Sequence, residues 1–439
     1  MRVARYSKQP IGEALAVSLG GVVFGYDLGA LSSATQSLRS QFHLSPATFG
    51  LTIAFSLWGT ICGSLLAGHW ADRVGRRSLI AWCAMLYSLA AIVPDLSVRA
   101  EWALVLAMRF LCGMAIGGFT VGCPLYLSEL APIALRGRFV GMFQVQVGAG
   151  VVVAFAAGSV FSHLDSPEVV WRWCFGVGAI PAAVLVLFLR FMSKRDTKGA
   201  ERFRPKPVRS LSKPLVRNEC PDREQLFCRR NMRPILLATS IAIFNQLSGV
   251  NIVLLYMLDI LSSAGIGFAI GHRYTILISC ISLATTLLGM AFVDKSGRKP
   301  LLYIGSAGMA VCLLSLAVAI PHRFNPILYL FILIAYNAFF AFSQGTVVWV
   351  YLSELFPPGI RGAGQGYGSS VHWIANAILV SMFPIMQHAS SAGIFYLVAL
   401  MMVVQIGVVW RWYPETRAAT LGAFAAAAAH PETDFTRVL

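Results

Sequence analysis

Long apolar stretches alternate with short polar ones along this chain, and the length of each stretch sets the reading. A helix needs roughly 20 predominantly apolar residues to cross a hydrocarbon core. Stretches of that kind occupy residues 11–34, 48–69, 78–95, 102–125, 138–161 and 172–191, then 234–262, 273–293, 300–320, 326–355, 364–387 and 392–412. Between the two sets of six, Met192 to Met232 is rich in Lys, Arg, Pro and Ser and poor in apolar residues. The pattern predicts an all-α integral membrane protein whose twelve transmembrane helices form two pseudo-symmetric six-helix bundles. Its units are residues 1–191, a basic linker 192–233, a second bundle 234–416 and a tail 417–439. Too polar to bury itself, the linker is expected at the membrane surface as short helices or disorder, where its basic residues suit anionic headgroups.

The two sets of spans repeat one another. Tyr126-Leu-Ser-Glu129-Leu-Ala-Pro132-Ile-Ala-Leu-Arg136-Gly137 returns as Tyr351-Leu-Ser-Glu354-Leu-Phe-Pro357-Pro-Gly-Ile-Arg361-Gly362, 225 positions on. Asp72-Arg73-Val-Gly75-Arg76-Arg77 returns as Asp294-Lys-Ser-Gly297-Arg298-Lys299, 222 positions on. Two independent motifs at nearly one offset mark an internal duplication, the arrangement of a membrane protein built from parallel halves.

Composition agrees with lipid as the solvent: 57% of residues are apolar and 12% charged, against about 25% charged in soluble domains. The net charge of +16 does not point to nucleic acid, because the basic residues fall in loops between spans instead of on one soluble face. If the chain starts in the cytoplasm, 29 of its 35 Lys and Arg face inward. The positive-inside rule therefore puts both termini in the cytoplasm of a multi-pass cell-membrane protein. The first apolar run continues into Gly25-Tyr26-Asp27 without a cleavage pattern and reads as a mature span. Seven of nine cysteines lie in apolar segments, as small hydrophobes. Cys220 and Cys228 share the linker, where a reducing milieu argues against a disulfide. No metal or cofactor is expected.

Ionisable groups inside spans are costly and functional by default. Asp27 is such a group, and Arg109 is the one strongly basic residue placed within a span. One buried acid and one buried base are expected to pair. Engaged, the pair keeps Asp27 ionised; separated, the acid prefers its neutral form, which makes the pair either a proton switch or a static tie between helices. On the loop side, Asp72, Arg73, Arg76, Arg77, Glu129 and Arg136 in one half, with Asp294, Arg298, Glu354 and Arg361 in the other, can bridge helix ends, and Glu129 with Arg136 and Glu354 with Arg361, each seven residues apart, are expected to join a network with Arg76 or Arg298 across the bundle. A polar solute crossing the membrane needs donors and acceptors near its middle. Amides are few there: Gln144 in the fifth span, Asn245 and Gln246 in the seventh, and Asn251 beyond Gly249, whose flexibility would let a broken helix turn Asn251 toward Gln246.

Phe24-Gly-Tyr-Asp27, the two Asp-[Arg/Lys]-x-Gly-Arg-[Arg/Lys] loops, the paired Tyr-Leu-Ser-Glu-Leu motifs, Gln246-Leu-Ser-Gly249-Val-Asn251 and Pro414-Glu-Thr416 together resemble the sugar porter family of the major facilitator superfamily, most closely its bacterial proton-coupled symporters. The resemblance covers nearly the whole chain. It implies a central sugar site exposed alternately to each side, an Asp at position 27 where facilitators carry a neutral residue, loop charges that latch the outward-facing state, and sugar ligands at Phe24, Gln144, Gln246, Asn251 and Trp349. Four departures stand out: Asn245-Gln246 for a pair of glutamines, Gly345-Thr346 for Gly-Pro ahead of Trp349, His372 for an amide before Trp373, and Arg190 to Arg195 in place of Pro-Glu-Ser-Pro-Arg. His372 and Asn376, four residues apart on one helical face, are both expected to look into the cavity. Either His372 alters the preferred sugar or it adds a second pH dependence.

The expected function is proton-coupled monosaccharide symport by alternating access, with sugar, proton and bilayer as partners and no obligate protein partner. The alternatives are a facilitator or a carrier of another polyol, inositol or organic acid, and a transporter-like nutrient sensor, for which the tail is short. An enzyme is not expected, since the histidines are dispersed and no acidic cluster has catalytic spacing.

Overall fold

The computed structural model of the chain describes residues 9–96, 101–164, 169–196, 226–322, 324–357, 360–390 and 392–416, almost all of them helical. Most of the linker, the tail from residue 417, both terminal basic groups and the side chain of Asp72 lie outside the described residues. The first half comprises α1 (Gln9–Phe42), α2 (Pro46–Val74), α3 (Arg76–Leu96), α4 (Trp102–Leu130), α5 (Arg136–Leu164) and a sixth span in two pieces, α6 (Val170–Gly176) and α7 (Ala179–Asp196). In the second half the seventh span has three pieces, α8 (Met232–Leu247), α9 (Val250–Leu255) and α10 (Met257–Ser263). It is followed by α11 (Phe268–Ser296), α12 (Arg298–His322), a tenth span split into α13 (Pro326–Phe342) and α14 (Gln344–Leu355), then α15 (Arg361–Ala389) and α16 (Gly393–Trp412). Among the described residues, 10 spans are long and apolar enough to cross a membrane. With α2 and α15, each 29 residues long, they make the twelve-helix, two-bundle architecture. Tryptophans 82, 173, 410 and 412 stand on the outside, as suits a lipid-facing surface.

Local chemistry explains the turns. Ser45 caps α2 by accepting from the Thr48 amide, and Pro46 follows at the first helical position. Gly75 and Gly297, the glycines of the duplicated loop motif, have φ of +86° and +91°, a conformation that costs other residues dearly. Each separates two long helices that must turn back at the membrane surface. The break after Gln246 falls where the sequence places it: Gly249 is left-handed, at φ +83°. The breaks at Gly176–Ala179, Tyr256 and Ser343 differ from the unbroken sixth and tenth spans and the single interruption expected of the seventh. At Ser343 side chains replace the helical ladder, with Ser343 Oγ donating to the Phe339 carbonyl and Thr346 Oγ1 to that of Ala341.

The halves meet most firmly on the side that carries the motifs. There α2 crosses α15 so closely that a Cβ on Gly366 would fall 2.7 Å from the Gly68 Cα. One turn along, the Ser64 and Ser370 hydroxyls are 2.8 Å apart. Asp294, at the end of α11, accepts the Gly137 and Arg138 amides at 3.1 and 2.9 Å, setting a carboxylate on the positive N-terminus of α5 in the other half. On the opposite side α1 and α9 touch lightly, Ser32 Oγ donating to the Leu255 carbonyl at 3.5 Å. The structure is thus sealed at the motif side. Substituting Leu at Gly366 should pry α2 from α15 there. A cysteine at position 64 should then react several-fold faster with a thiol reagent applied from the motif side; unchanged labelling would mean that this crossing is not the seal.

Candidate functional site

Asp27 and Arg109 form a bidentate pair, with Arg109 Nη1 2.6 Å from Oδ1 and Nη2 2.7 Å from Oδ2. Both are 3% exposed, which leaves neither charge accessible to solvent screening. Three further helices complete the shell. Tyr87 of α3 donates its hydroxyl to Asp27 Oδ1 at 3.0 Å, and Arg109 Nη2 donates to Ser56 Oγ of α2 at 3.1 Å. The Phe175 ring of α6 lies 4.9 Å from the guanidinium carbon, within cation–π range. Gly178 makes room, since a Cβ there would press to 3.0 Å from the Tyr87 hydroxyl. Removing one member of such a pair strands the other, at a cost of about 3–5 kcal/mol. The spans themselves announce the pair, but Tyr87, Ser56 and Phe175 come from three other helices and carry no sequence signal.

A cavity lies between the halves, with about 100 Å³ open to the centres of water-sized spheres, against the ~10–15 Å³ that one water needs. Phe24, Gln144, Asn245, Gln246, Asn251, Trp349 and His372 all line it. The break at Gly249 lets Asn251 Nδ2 donate to Gln246 Oε1 at 2.8 Å. Gln246 Nε2 in turn lies 2.6 Å from His372 Nε2. An amide nitrogen only donates, so that ring nitrogen accepts and the imidazole is neutral while the bond is made. Across the cavity Trp349 Nε1 donates to Gln144 Oε1 at 3.1 Å, joining the two halves. Beside these amides runs a closed circuit of five rings: Phe24 to Phe143 at 6.4 Å, Phe143 to Trp349 at 6.0 Å, Trp349 to His372 and His372 to Trp373 each at 5.1 Å, and Trp373 back to Phe24 at 5.4 Å. Amides beside aromatic faces are what a polyhydroxylated solute needs.

Two expected wall residues are elsewhere. Trp373 stands behind Phe24 and points its indole nitrogen at Thr120 Oγ1, 3.4 Å away. Asn376 is 1% exposed, and neither of its side-chain polar atoms is bonded. Four residues along a helix share a face but advance about 6 Å, enough to carry Asn376 past the wall that His372 reaches. Conversely, Ser279, Ser282 and Thr286 of α11 and Asn337 of α13 line the cavity and escaped notice in the sequence. Hydroxyls in apolar helices usually bond their own backbone, as Thr286 does to the Ser282 carbonyl and Asn337 to that of Leu333.

The loop charges form two matching clamps, in which Glu129 and Glu354 join Arg76 and Arg298 as expected, while Arg136 and Arg361 stay outside the close pairs. Arg76 Nε meets Glu129 at 3.2 Å. Arg298 meets Glu354 at 2.7 Å and Asp294 at 3.3 Å. Thr416 Oγ1 also donates to Glu354 at 2.6 Å, and the Glu415 carboxylate accepts the Arg298 and Lys299 amides. Glu129 is 39% exposed and Glu354 1%, so the second clamp is far less screened. Arg77 donates to the Leu189 carbonyl, and Arg73 is exposed. Arg136 and Arg361 have no carboxylate within 4 Å among the described residues; Arg361 Nε reaches the Phe356 carbonyl at 3.4 Å instead. Of these loop charges, Asp294 is the one whose hydrogen bonds cross between the halves, to the Gly137 and Arg138 amides.

Residues 14–427 match the family described as Sugar (and other) transporter. The chain belongs to the sugar transporter family. A D-xylose transporter of Levilactobacillus brevis is 31% identical over 389 residues, 84% of either chain. The glucose transporter GlcP of Staphylococcus epidermidis is 29% identical over 92% of this chain and 94% of its own. Among solved structures, the proton:xylose symporter XylE bound to 6-bromo-6-deoxy-D-glucose superposes with a TM-score of 0.79 at 26% identity, over 94% of this chain and 98% of XylE.

Within this family setting, the ring of His372, bonded to Gln246 on the cavity wall, is placed to alter the sugar preference. In His372→Gln the amide keeps the bond to Gln246 but presents a different edge to the cavity. One altered contact is worth roughly 10–200-fold in discrimination. The ratio of affinities for a pentose and a hexose, read by binding titration, should change by about tenfold. Identical ratios would place the ring outside the ligand's reach.

Proposed function

We propose that the protein is a proton-coupled monosaccharide symporter that works by alternating access. The observation that carries this reading is the division of labour along α1. Phe24 lines the cavity, while Asp27, three residues on, is locked to Arg109 and is not on the cavity wall. One rigid helix therefore touches both the solute site and the proton site. Movement of α1 with the ring circuit separates Asp27 from Arg109, and a carboxylate stranded in an apolar interior takes up a proton to shed its charge. When the pair reforms, the guanidinium expels that proton. The structure is the state sealed at the motif side; passage to the other state breaks Ser64–Ser370 and Asp294–α5, bonds made only in this one. A ligand shifts such a balance by binding the two states unequally.

The aromatic and amide lining supports a monosaccharide, and the names of the relatives, which include xylose and glucose carriers, point the same way. We further propose that the motif side is cytoplasmic, that both termini lie there, and that residues 192–233 join the bundles along that face of the cell membrane. The residue roles follow the geometry: Asp27 and Arg109 for the proton; Phe24, Gln144, Asn245, Gln246, Asn251, Trp349 and His372 for the sugar, with Trp373 as backing; and the clamps with Asp294 for the gate. No step makes or breaks a covalent bond in the sugar.

Asp27→Asn keeps shape and hydrogen bonding but cannot exchange a proton. In proteoliposomes it should lose accumulation driven by an acid-outside gradient, while sugar counterflow stays within a few-fold of the parent. A variant that still concentrates sugar under that gradient removes Asp27 from the coupling step.

A further inference from the structure

A second, smaller void borders the ion pair inside the first half. Its lining, from α3, α4 and α6, shares no residue with the central cavity. About 10 Å³ of it is open to the centres of water-sized spheres, the room that one water requires. A water also needs two to four polar partners, and three of the lining residues carry groups able to serve. Arg109 lines the void, and its Nε is buried without a hydrogen-bond partner although both terminal nitrogens are engaged. Pro94 sits inside α3. It has no N–H to give to the Ala90 carbonyl one turn back, and both residues line the void. Tyr87 is the third, with its hydroxyl already donated to Asp27 and its oxygen lone pairs able to accept.

The void also has a direction. Its walls run along α3 from Tyr87 to Pro94 and along α4 from Cys112 back to Val105, from the depth of the ion pair toward the ends of these helices opposite the motifs. We propose that this void is a water site through which protons reach Asp27 from the side opposite the motifs without entering the sugar cavity. A proton arriving on the water passes to the Tyr87 oxygen as the Tyr87 O–H proton moves to Asp27 Oδ1. One O–H bond breaks and one forms at the tyrosine, which ends unchanged, and the net result is a carboxylate converted to its acid. The sugar and the proton then reach α1 by separate routes, so a bound sugar does not block protonation.

The inference rests on the proton-coupling reading above, and the test separates the two. Ala91 and Cys112 line the void, do not line the sugar cavity, and can be enlarged to fill it. Parent protein, Ala91→Val and Cys112→Val would be reconstituted with an internal pH dye, and the rate of xylose- or glucose-driven proton uptake compared with sugar counterflow. Proton uptake is expected to fall about tenfold or more in both variants while counterflow stays within twofold, which also shows that they fold. Should one variant fail to fold, the other decides alone. Equal proton uptake in parent and folded variant overturns the route, and so does an equal fall in both rates, which assigns the void to packing. If the parent transports sugar with no proton uptake at all, it is the coupling reading that fails.

Discussion

A carboxylate and a guanidinium buried together in an apolar bundle have few acceptable arrangements: they stay paired, or one loses its charge. Everything around Asp27 and Arg109 serves that restriction. Tyr87 and Ser56 occupy pair atoms that would otherwise be left short of partners, Phe175 shields the guanidinium, and Gly178 leaves space for the tyrosine. Truncating either charge costs several kcal/mol, a large part of the total stability of a typical domain. The pair and its shell therefore tie five helices together, and in the proposed switch only coordinated movement of those helices releases it.

The two halves repeat their charges but not their chemistry. Arg76–Glu129 and Arg298–Glu354 are the same clamp made twice, with Gly75 and Gly297 turning the chain alike. The ionisable pair lies in the first half alone. Most of the amides, together with the breaks at Gly249, Tyr256 and Ser343, lie in the second. In the proposed account proton and solute are thus handled mainly by different bundles, joined where Trp349 bonds Gln144 and where the ring circuit runs from Phe24 to His372. A fixed domain for each ligand, with a shared boundary, gives coupling without either ligand touching the other.

Much of this is legible in the amino-acid sequence. Span lengths and the duplication carry the twelve helices, the lone acid and lone base carry the pair, and Gly249 carries the break that brings Asn251 back to Gln246. What the chain concealed has physical reasons. The break at Ser343 uses hydroxyl-to-carbonyl bonds inside an apolar run, which leaves no mark in hydropathy. Asn376 shares a face with His372 yet lies a helical turn beyond the cavity wall, and periodicity measures angle better than depth. Arg136 and Arg361 stay out of the close clamps because their reach is set by helix ends whose neighbours only the packing reveals. The Ser64–Ser370 contact and the Asp294 cap on α5 depend on the approach of distant segments, about which local patterns say nothing.

The central claim is that solute binding and the charge state of Asp27 are linked through the opening of its pair with Arg109. Infrared difference spectroscopy on reconstituted protein tests it without relying on transport. Sugar addition should produce a C=O stretching band of a newly protonated carboxyl, larger as the pH is lowered and absent from Asp27→Asn under the same saturation. Saturating sugar binding with no carboxyl band at any pH would contradict the account and leave the pair a static tie between helices.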